Sequence, residues 1–395
     1  MTVHDVDHVI IRSDKNLVCH WPRQGGLWRW GKEMLAGFIE SPCSYESQDD
    51  VGHGQTGIWA NGYVRLRRSM DAGQSWQDGG VLFDNSRSVE AQRDTLHLDD
   101  YEKDGGRSLP REIMNETNSD TVLMMGRAWC GDKIQTTGTE SLRKNVAYCY
   151  RSRDRGRNWE NVPSIIWPNH TETVVELANN SLQCSDGRLL SWLVGFSGIE
   201  GATLVGDRIY SPQLYASEDH GQSWHFYSEI YTDPHGRIAA SYPQVLALPS
   251  GRWMCSLGCW YQAGGARMRW TSLSYSDDQG LNWSEPYRIH TWSVSPFPLL
   301  LEDGRIVIIY MRRNPDPTGL FAIVSENEGK SWSAPVALRT DTLEAGPRGV
   351  VDGGYPVAVD MGDNRVFVSY YWQHNDPDVP WYGGRKYIAG TYFRL

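Results

Sequence analysis

One eight-residue phrase is written five times in this chain, and no other feature narrows its possible folds so far. Residues 69–76 read SMDAGQSW, 152–159 SRDRGRNW, 217–224 SEDHGQSW, 276–283 SDDQGLNW and 325–332 SENEGKSW. The shared pattern is Ser-x-Asp/Asn-x-Gly-x-Ser/Asn-Trp. Ser and Asp side chains bond to nearby backbone amides, Gly supplies a positive φ, and Trp covers the corner with apolar area. Such a box is a hairpin corner. A catalytic group is not needed five times, so these residues are read as architecture.

The boxes start 83, 65, 59 and 49 residues apart, which suits one four-stranded unit per repeat with insertions that shrink toward the C-terminus. A weaker repeat lies around them, an aromatic residue or Leu before Pro and then apolar strands. It occurs at Trp21-Pro22, Leu109-Pro110, Tyr242-Pro243, Phe297-Pro298 and Tyr355-Pro356, and the third unit keeps only its later part, SLQCSDGRLLSWLVGF. Six units follow, of which five carry a box. If the box joins the third and fourth strands of a unit, the sixth unit lacks one because the chain ends after its third strand. The run His8-Val9-Ile10-Ile11-Arg12 then supplies the missing fourth strand, and the closed ring has no exposed sheet edges. The expected fold is all-β: one six-bladed β-propeller domain over 1–395, with 1–17 completing the last blade.

Composition agrees. Eighteen Trp, twenty Tyr and forty Gly suit short twisted strands with tight turns, and no long window has helical apolar periodicity. A net charge of −10 argues against nucleic acid or an anionic membrane as partner, while a local Arg cluster can still hold a small anion. The start, MTVHDVDHVIIRS, has no basic segment and no apolar run of signal length, so a cytoplasmic location is expected, or a secreted or periplasmic one if the chain is a processed form. The seven cysteines are an odd set without zinc-site spacing and read as buried free thiols. No cofactor is expected. No metal is required, since HExxH and EF-hand patterns are absent.

The boxes, the strand-turn-strand units and Tyr355-Pro356-VAVD together resemble the sialidase (neuraminidase) superfamily of BNR/Asp-box propellers over nearly the whole chain. The resemblance implies a Tyr nucleophile in the last blade, a Glu that assists it, an Asp acid/base in a first-blade loop and three Arg that hold a substrate carboxylate. Tyr355 matches the Tyr. Asp50, preceded by Asp49, occupies the loop of the acid/base, and His53 is an alternative there that needs less tuning. The departures are specific. Trp21-Pro22-Arg23 stands where the family has Arg-x-Pro, Tyr242 where it has the assisting Glu, and Gly258 and Ile323 where it has its second and third Arg.

In a propeller, the starts of the inner strands and the loops between second and third strands converge on one mouth of the central channel. Strand starts supply Trp21, Arg23, Glu112, Glu176, Tyr242 and Tyr355. Second-to-third-strand segments supply Arg127, Trp260, Arg267, Arg269, Arg312, Arg313, His374 and Trp381. Arg forks grip a carboxylate or sulfate and aromatic faces pack on sugar rings, so the expected partner is an anionic carbohydrate. Glu112 with Arg127, or Arg312 with Arg313, can build a different constellation, with Glu176 as base. The leading expectation is an exo-acting, sialidase-like glycoside hydrolase using Asp50 and Tyr355. The alternatives are a polysaccharide lyase on uronic-acid glycans, with His53, His374 or Tyr355 abstracting the proton, and a glycan-binding propeller without catalysis.

Overall fold

The computed structural model describes residues 3–51, 62–103, 118–134, 142–177, 179, 181–198, 208–262, 268–341, 351–374, 376, 379 and 384–395. Its strands form six antiparallel sheets, the blades of a propeller. The sixth is built from Gly354–Gly362, Arg365–His374 and Arg385–Arg394, with His4–Arg12 as outermost strand. The N-terminal strand therefore closes the ring as expected, pairing from His4 opposite Arg394 to Arg12 opposite Ile388. Blade two shows three strands among the described residues, Val122–Ile134, Leu142–Ser152 and Ser164–Ile166. The Leu109-Pro110 motif lies outside them. The segment after blade one folds into two short helices that composition did not foretell, α2 (Val89–Leu96) and α3 (Leu98–Lys103). The first helix of the chain, α1, is a single turn at Pro22–Gly25.

All five boxes are hairpin turns built the same way, joining third to fourth strand in blades one, three, four and five and joining Leu142–Ser152 to Ser164–Ile166 in blade two. In the first, Ser69 Oγ accepts from the Gly73 amide at 2.8 Å, and Asp71 accepts from the Ser75 amide at 2.9 Å. The residue before each Gly, namely Ala72, Arg155, His220, Gln279 and Glu328, has φ of 55–62°. Its carbonyl is thereby turned outward, where a side chain of the preceding blade donates to it. The donors are Tyr392, Arg68, Arg151, Tyr227 and Tyr275 respectively. Each box thus closes its own hairpin and ties its blade to the one before.

The inner strands carry a second repeated device. Trp21, Tyr242, Ser295 and Tyr355 each precede a Pro and each has φ between 51 and 56°. A residue before Pro prefers extended backbone, so each position costs on the order of 1–3 kcal/mol and is held by its surroundings. At 242–243, 295–296 and 355–356 the ladder skips both residues, a bulge that re-aims side chains out of the pleat toward the channel. The fifth blade corrects the sequence reading. Its bulged pair is Ser295-Pro296, while Phe297 and Pro298 are ordinary ladder residues opposite Ile309 and Ile308.

Candidate active site

The bulges bring three aromatic rings together at the channel. Tyr242 and Tyr355 are perpendicular with centroids 5.4 Å apart and hydroxyl oxygens 2.9 Å apart. Trp21 meets Tyr355 edge-on at 6.4 Å. Trp260 extends the surface, tilted against Tyr242 at 6.4 Å, with the Arg269 guanidinium over its ring at 4.4 Å. Rings at these separations gain quadrupole attraction beyond area burial.

Arg23 leaves α1 and spans the channel. It is buried, and its two terminal nitrogens donate to the carbonyls of Pro296 at 2.7 Å and Pro243 at 2.8 Å. The bulges of blades four and five thus supply the acceptors for a guanidinium from blade one, which also lies 5.6 Å from the Tyr242 ring centre. Burial lowers its pKa to about 10, against the pull of Glu176. Gln24, the next residue, donates to Glu176 at 3.1 Å.

Glu176 lies on the inner strand of blade three, Thr173–Leu177, and is 7% exposed. Burial raises its pKa to about 7, opposed by Arg127, Arg23 and the Gln24 bond. A carboxyl caught between desolvation and two cations is half-protonated near neutral pH, the condition for general acid or base work. Arg127, on Val122–Ile134 of blade two, has its own pKa lowered to about 10 by burial. Tyr355 is pushed well above the ordinary phenol by burial, with Tyr242 and Glu176 adding to the shift.

Beneath Tyr355 sits a buried ionic group that the sequence did not assemble. Asp352 lies 3.3 Å from both Arg313 and Lys386 and accepts from the Tyr371 hydroxyl. Arg313 also donates to the Gly353 carbonyl at 3.0 Å and to Tyr371 at 2.8 Å. His20 stacks on Tyr371 at 4.5 Å. Gln24, Lys386 and His20 were missed. Lys386 and Arg385 are neighbours on a strand and point to opposite faces, but only the fold tells which faces inward.

The other sequence candidates fall elsewhere. Asp50 Oδ2 accepts from the Ser44 hydroxyl at 2.8 Å and from the amides of Glu46 at 2.9 Å and Ser47 at 3.1 Å. Burial works the other way but is outweighed, so the Asp50 carboxyl is held below its usual range; it caps a turn and is a poor proton donor. Arg312 lies over Phe321 at 4.6 Å. His374 is exposed and stacks on Tyr387 at 4.1 Å. His53, Glu112, Arg267 and Trp381 lie outside the described residues, as does the side chain of Asp49. Among the described residues no group of three His, Cys, Asp or Glu could hold a metal ion, and no helix is long and apolar enough to cross a membrane.

Fold and mouth together define a propeller of the kind that glycoside hydrolases use. The BNR repeat-like domain matches residues 150–365, more than half of the chain, which belongs to that family. No curated protein sequence matches. Among solved structures, a Dyadobacter fermentans protein of unknown function is similar over 100% of this chain and 99% of its own, at 20% identity and TM-score 0.68. A Hadza microbial sialidase matches 96% of this chain with 66% of its own, at 16% identity and TM-score 0.57. A mutant α-L-arabinofuranosidase from Fusarium graminearum, bound to an iminosugar inhibitor, matches 100% and 98% at 13% identity and TM-score 0.57. At such identities the likeness is one of fold.

Proposed function

We propose that the chain is an exo-acting glycoside hydrolase that releases a terminal sugar, with Glu176 as its general acid. The observation that carries this is the buried Glu176 carboxyl, with a pKa of about 7, beside Arg127 and Arg23 and close to the Trp21, Tyr242 and Tyr355 cluster. In its protonated form it donates to the glycosidic oxygen as the bond to the anomeric carbon breaks. The names of the structural neighbours, a sialidase and an arabinofuranosidase, support the reaction class. The second carboxyl that such hydrolysis uses is assigned to Glu112, an acidic candidate of the sequence that lies outside the described residues.

Tyr355 is given a supporting role. Its hydroxyl partner is Tyr242, where the sialidase pattern has a carboxylate, and a phenol does not take a proton from another phenol at neutral pH. The pair is suited to bonding sugar hydroxyls. A neutral terminal sugar also fits better than an acidic one, because Arg23 and Arg313 give donors to protein carbonyls, Tyr371 and Asp352.

The test is an assay of reducing-end release and ultraviolet absorbance against neutral aryl glycosides and oligosaccharides, sialosides and uronic-acid polysaccharides, with Glu176→Gln beside the wild type. Release of a saturated neutral sugar, lost about a thousandfold or more in the variant, supports the proposal. An unsaturated product points to a lyase, and glycan binding without turnover to a lectin; either overturns it.

A further inference from the structure

The channel has a second end. From Trp21 the chain runs through α1 and along Leu27–Trp30 to the hairpin at Gly31, on the face where the boxes lie. There, between blades one, two and three, is a cavity of about 340 Å3 lined by Trp28, Asn118, Thr121, Ser181 and Gln183 over a floor of leucines that includes Leu189. Its size falls in the range of about 300–1,000 Å3 typical of small-molecule sites.

We propose that this cavity is a second carbohydrate site that takes one residue of a neutral glycan. Its lining combines an indole, side-chain amides and hydroxyls with an apolar floor, and none of the eight described lining residues carries a charge. Indole faces pack on the C–H faces of sugars, while amides and hydroxyls serve as both donors and acceptors for sugar hydroxyls. An anionic ligand would find no cation among the described lining residues, and a purely apolar one would desolvate the amides at a cost.

The platform is held in place. A methyl group at Gly26 would come within 2.3 Å of Trp28 Cη2 and 2.7 Å of Asn179 Cβ, so the indole is packed against the backbone of α1. Asn179 is fixed in turn by bonds to the carbonyls of Gln24 and Met125 and to the Met125 amide. On the opposite wall, Asn118 Oδ1 accepts from the Asp120 amide at 2.8 Å and the Thr121 hydroxyl at 3.3 Å, which orients its amide nitrogen as a donor. A rigid aromatic and preset donors reduce the ordering cost of binding.

The site is independent of the hydrolase reading and is tested separately from it. Cellotetraose, xylotetraose, arabinotetraose and tetragalacturonate are titrated by calorimetry into the Glu176→Gln protein, alone and with Trp28→Ala or Gln183→Ala. The expected result is that a neutral tetrasaccharide binds, that Trp28→Ala weakens it at least tenfold and Gln183→Ala at least threefold, and that neither changes aryl-glycoside turnover in the otherwise wild-type chain by more than twofold. Gln183 is exposed, so its variant still reports if Trp28→Ala fails to fold. Affinities indifferent to both substitutions, no binding of any neutral oligosaccharide at millimolar concentration, or tighter Trp28-dependent binding of tetragalacturonate would overturn the proposal.

Discussion

The hydroxyl oxygens of Tyr242 and Tyr355 stand 2.9 Å apart and join the inner strands of blades four and six across the channel. Both residues hold left-handed backbone before a Pro, so the contact is set by two bulges and not by flexible loops. A site built on strained but rigid strand positions is preorganised. What the pair does for a substrate follows from what neither phenol can do for the other.

Tyr355→Phe and Tyr242→Phe should each lower kcat/KM by about ten- to a hundredfold, the effect of one or two hydrogen bonds, and not abolish turnover. Steady-state kinetics on an aryl glycoside check this. A loss of about ten-thousandfold for Tyr355→Phe alone would restore that residue as nucleophile.

Glu176 ties activity and stability to one titration. As a general acid it must be protonated, so kcat should fall as pH rises through about 7. Its folded pKa lies above the unfolded value, so the folded state binds the proton more readily. The linked stabilisation is complete below about pH 4.5 and is lost as pH rises through about 7, amounting to an order of 3 kcal/mol. Glu176→Gln should therefore melt higher than the wild type at pH 8 and close to it at pH 5, while being inactive at both. Thermal melts at the two pH values decide the point.

The box carboxylates set the acid limit. Ser75, by hydroxyl and amide, holds Asp71 down to about 2, and the amide and side chain of Asn282 do the same for Asp278. At Asp154 burial pushes upward, but bonds from Asn158 prevail and the value is again about 2. These groups hold protons less tightly folded than unfolded, so their contribution is present above about pH 4 and lost as pH falls through about 2. The fifth box has Asn327 in this place and does not titrate. Asp→Asn at 71, 154 and 278 should flatten the decline of the melting temperature between pH 4 and 2.

The blade seams rank by the chemistry of their donors. Tyr275→Phe removes a neutral bond to the Glu328 carbonyl and a long one accepted from the Tyr287 hydroxyl and should cost about 1 kcal/mol. Arg151→Met also strands Glu160, which pairs with Arg151 through both oxygens, and should cost about 3–5 kcal/mol. Urea denaturation midpoints of the two variants test the order.

The ring was legible because a turn that needs Ser, Asp, Gly and Trp at set offsets leaves a written trace at each repetition. Closure by the first strand was legible because the sixth unit lacked its box. The inner-strand register was not. In blade five, Pro296 and Pro298 both offer an aromatic-or-small residue before Pro, and only the pairing of Val294 with Met311 and Phe297 with Ile309 tells which is bulged. At the mouth, strand position pointed to Trp21, Glu176, Tyr242 and Tyr355. It could not tell that Asp50 would be consumed by the amides of its own turn, nor that Arg23 would be a strut across the channel, because both depend on acceptors and donors placed by other segments.

The box ties have a mechanical consequence. Each blade overlaps the one before it as a shingle overlaps its neighbour, so a cut that respects the sheets would sever a latch, and chimeras between relatives are better joined just ahead of a box. Five seams of the hoop are latched in this way. The sixth, between blades five and six, has no box to bridge it and is held instead by Arg313 against Gly353, Tyr371 and Asp352 and by Arg305 against Asn364. It is therefore the seam that Arg313→Met should open, with faster amide exchange along Val294–Leu300 and Gly354–Gly362.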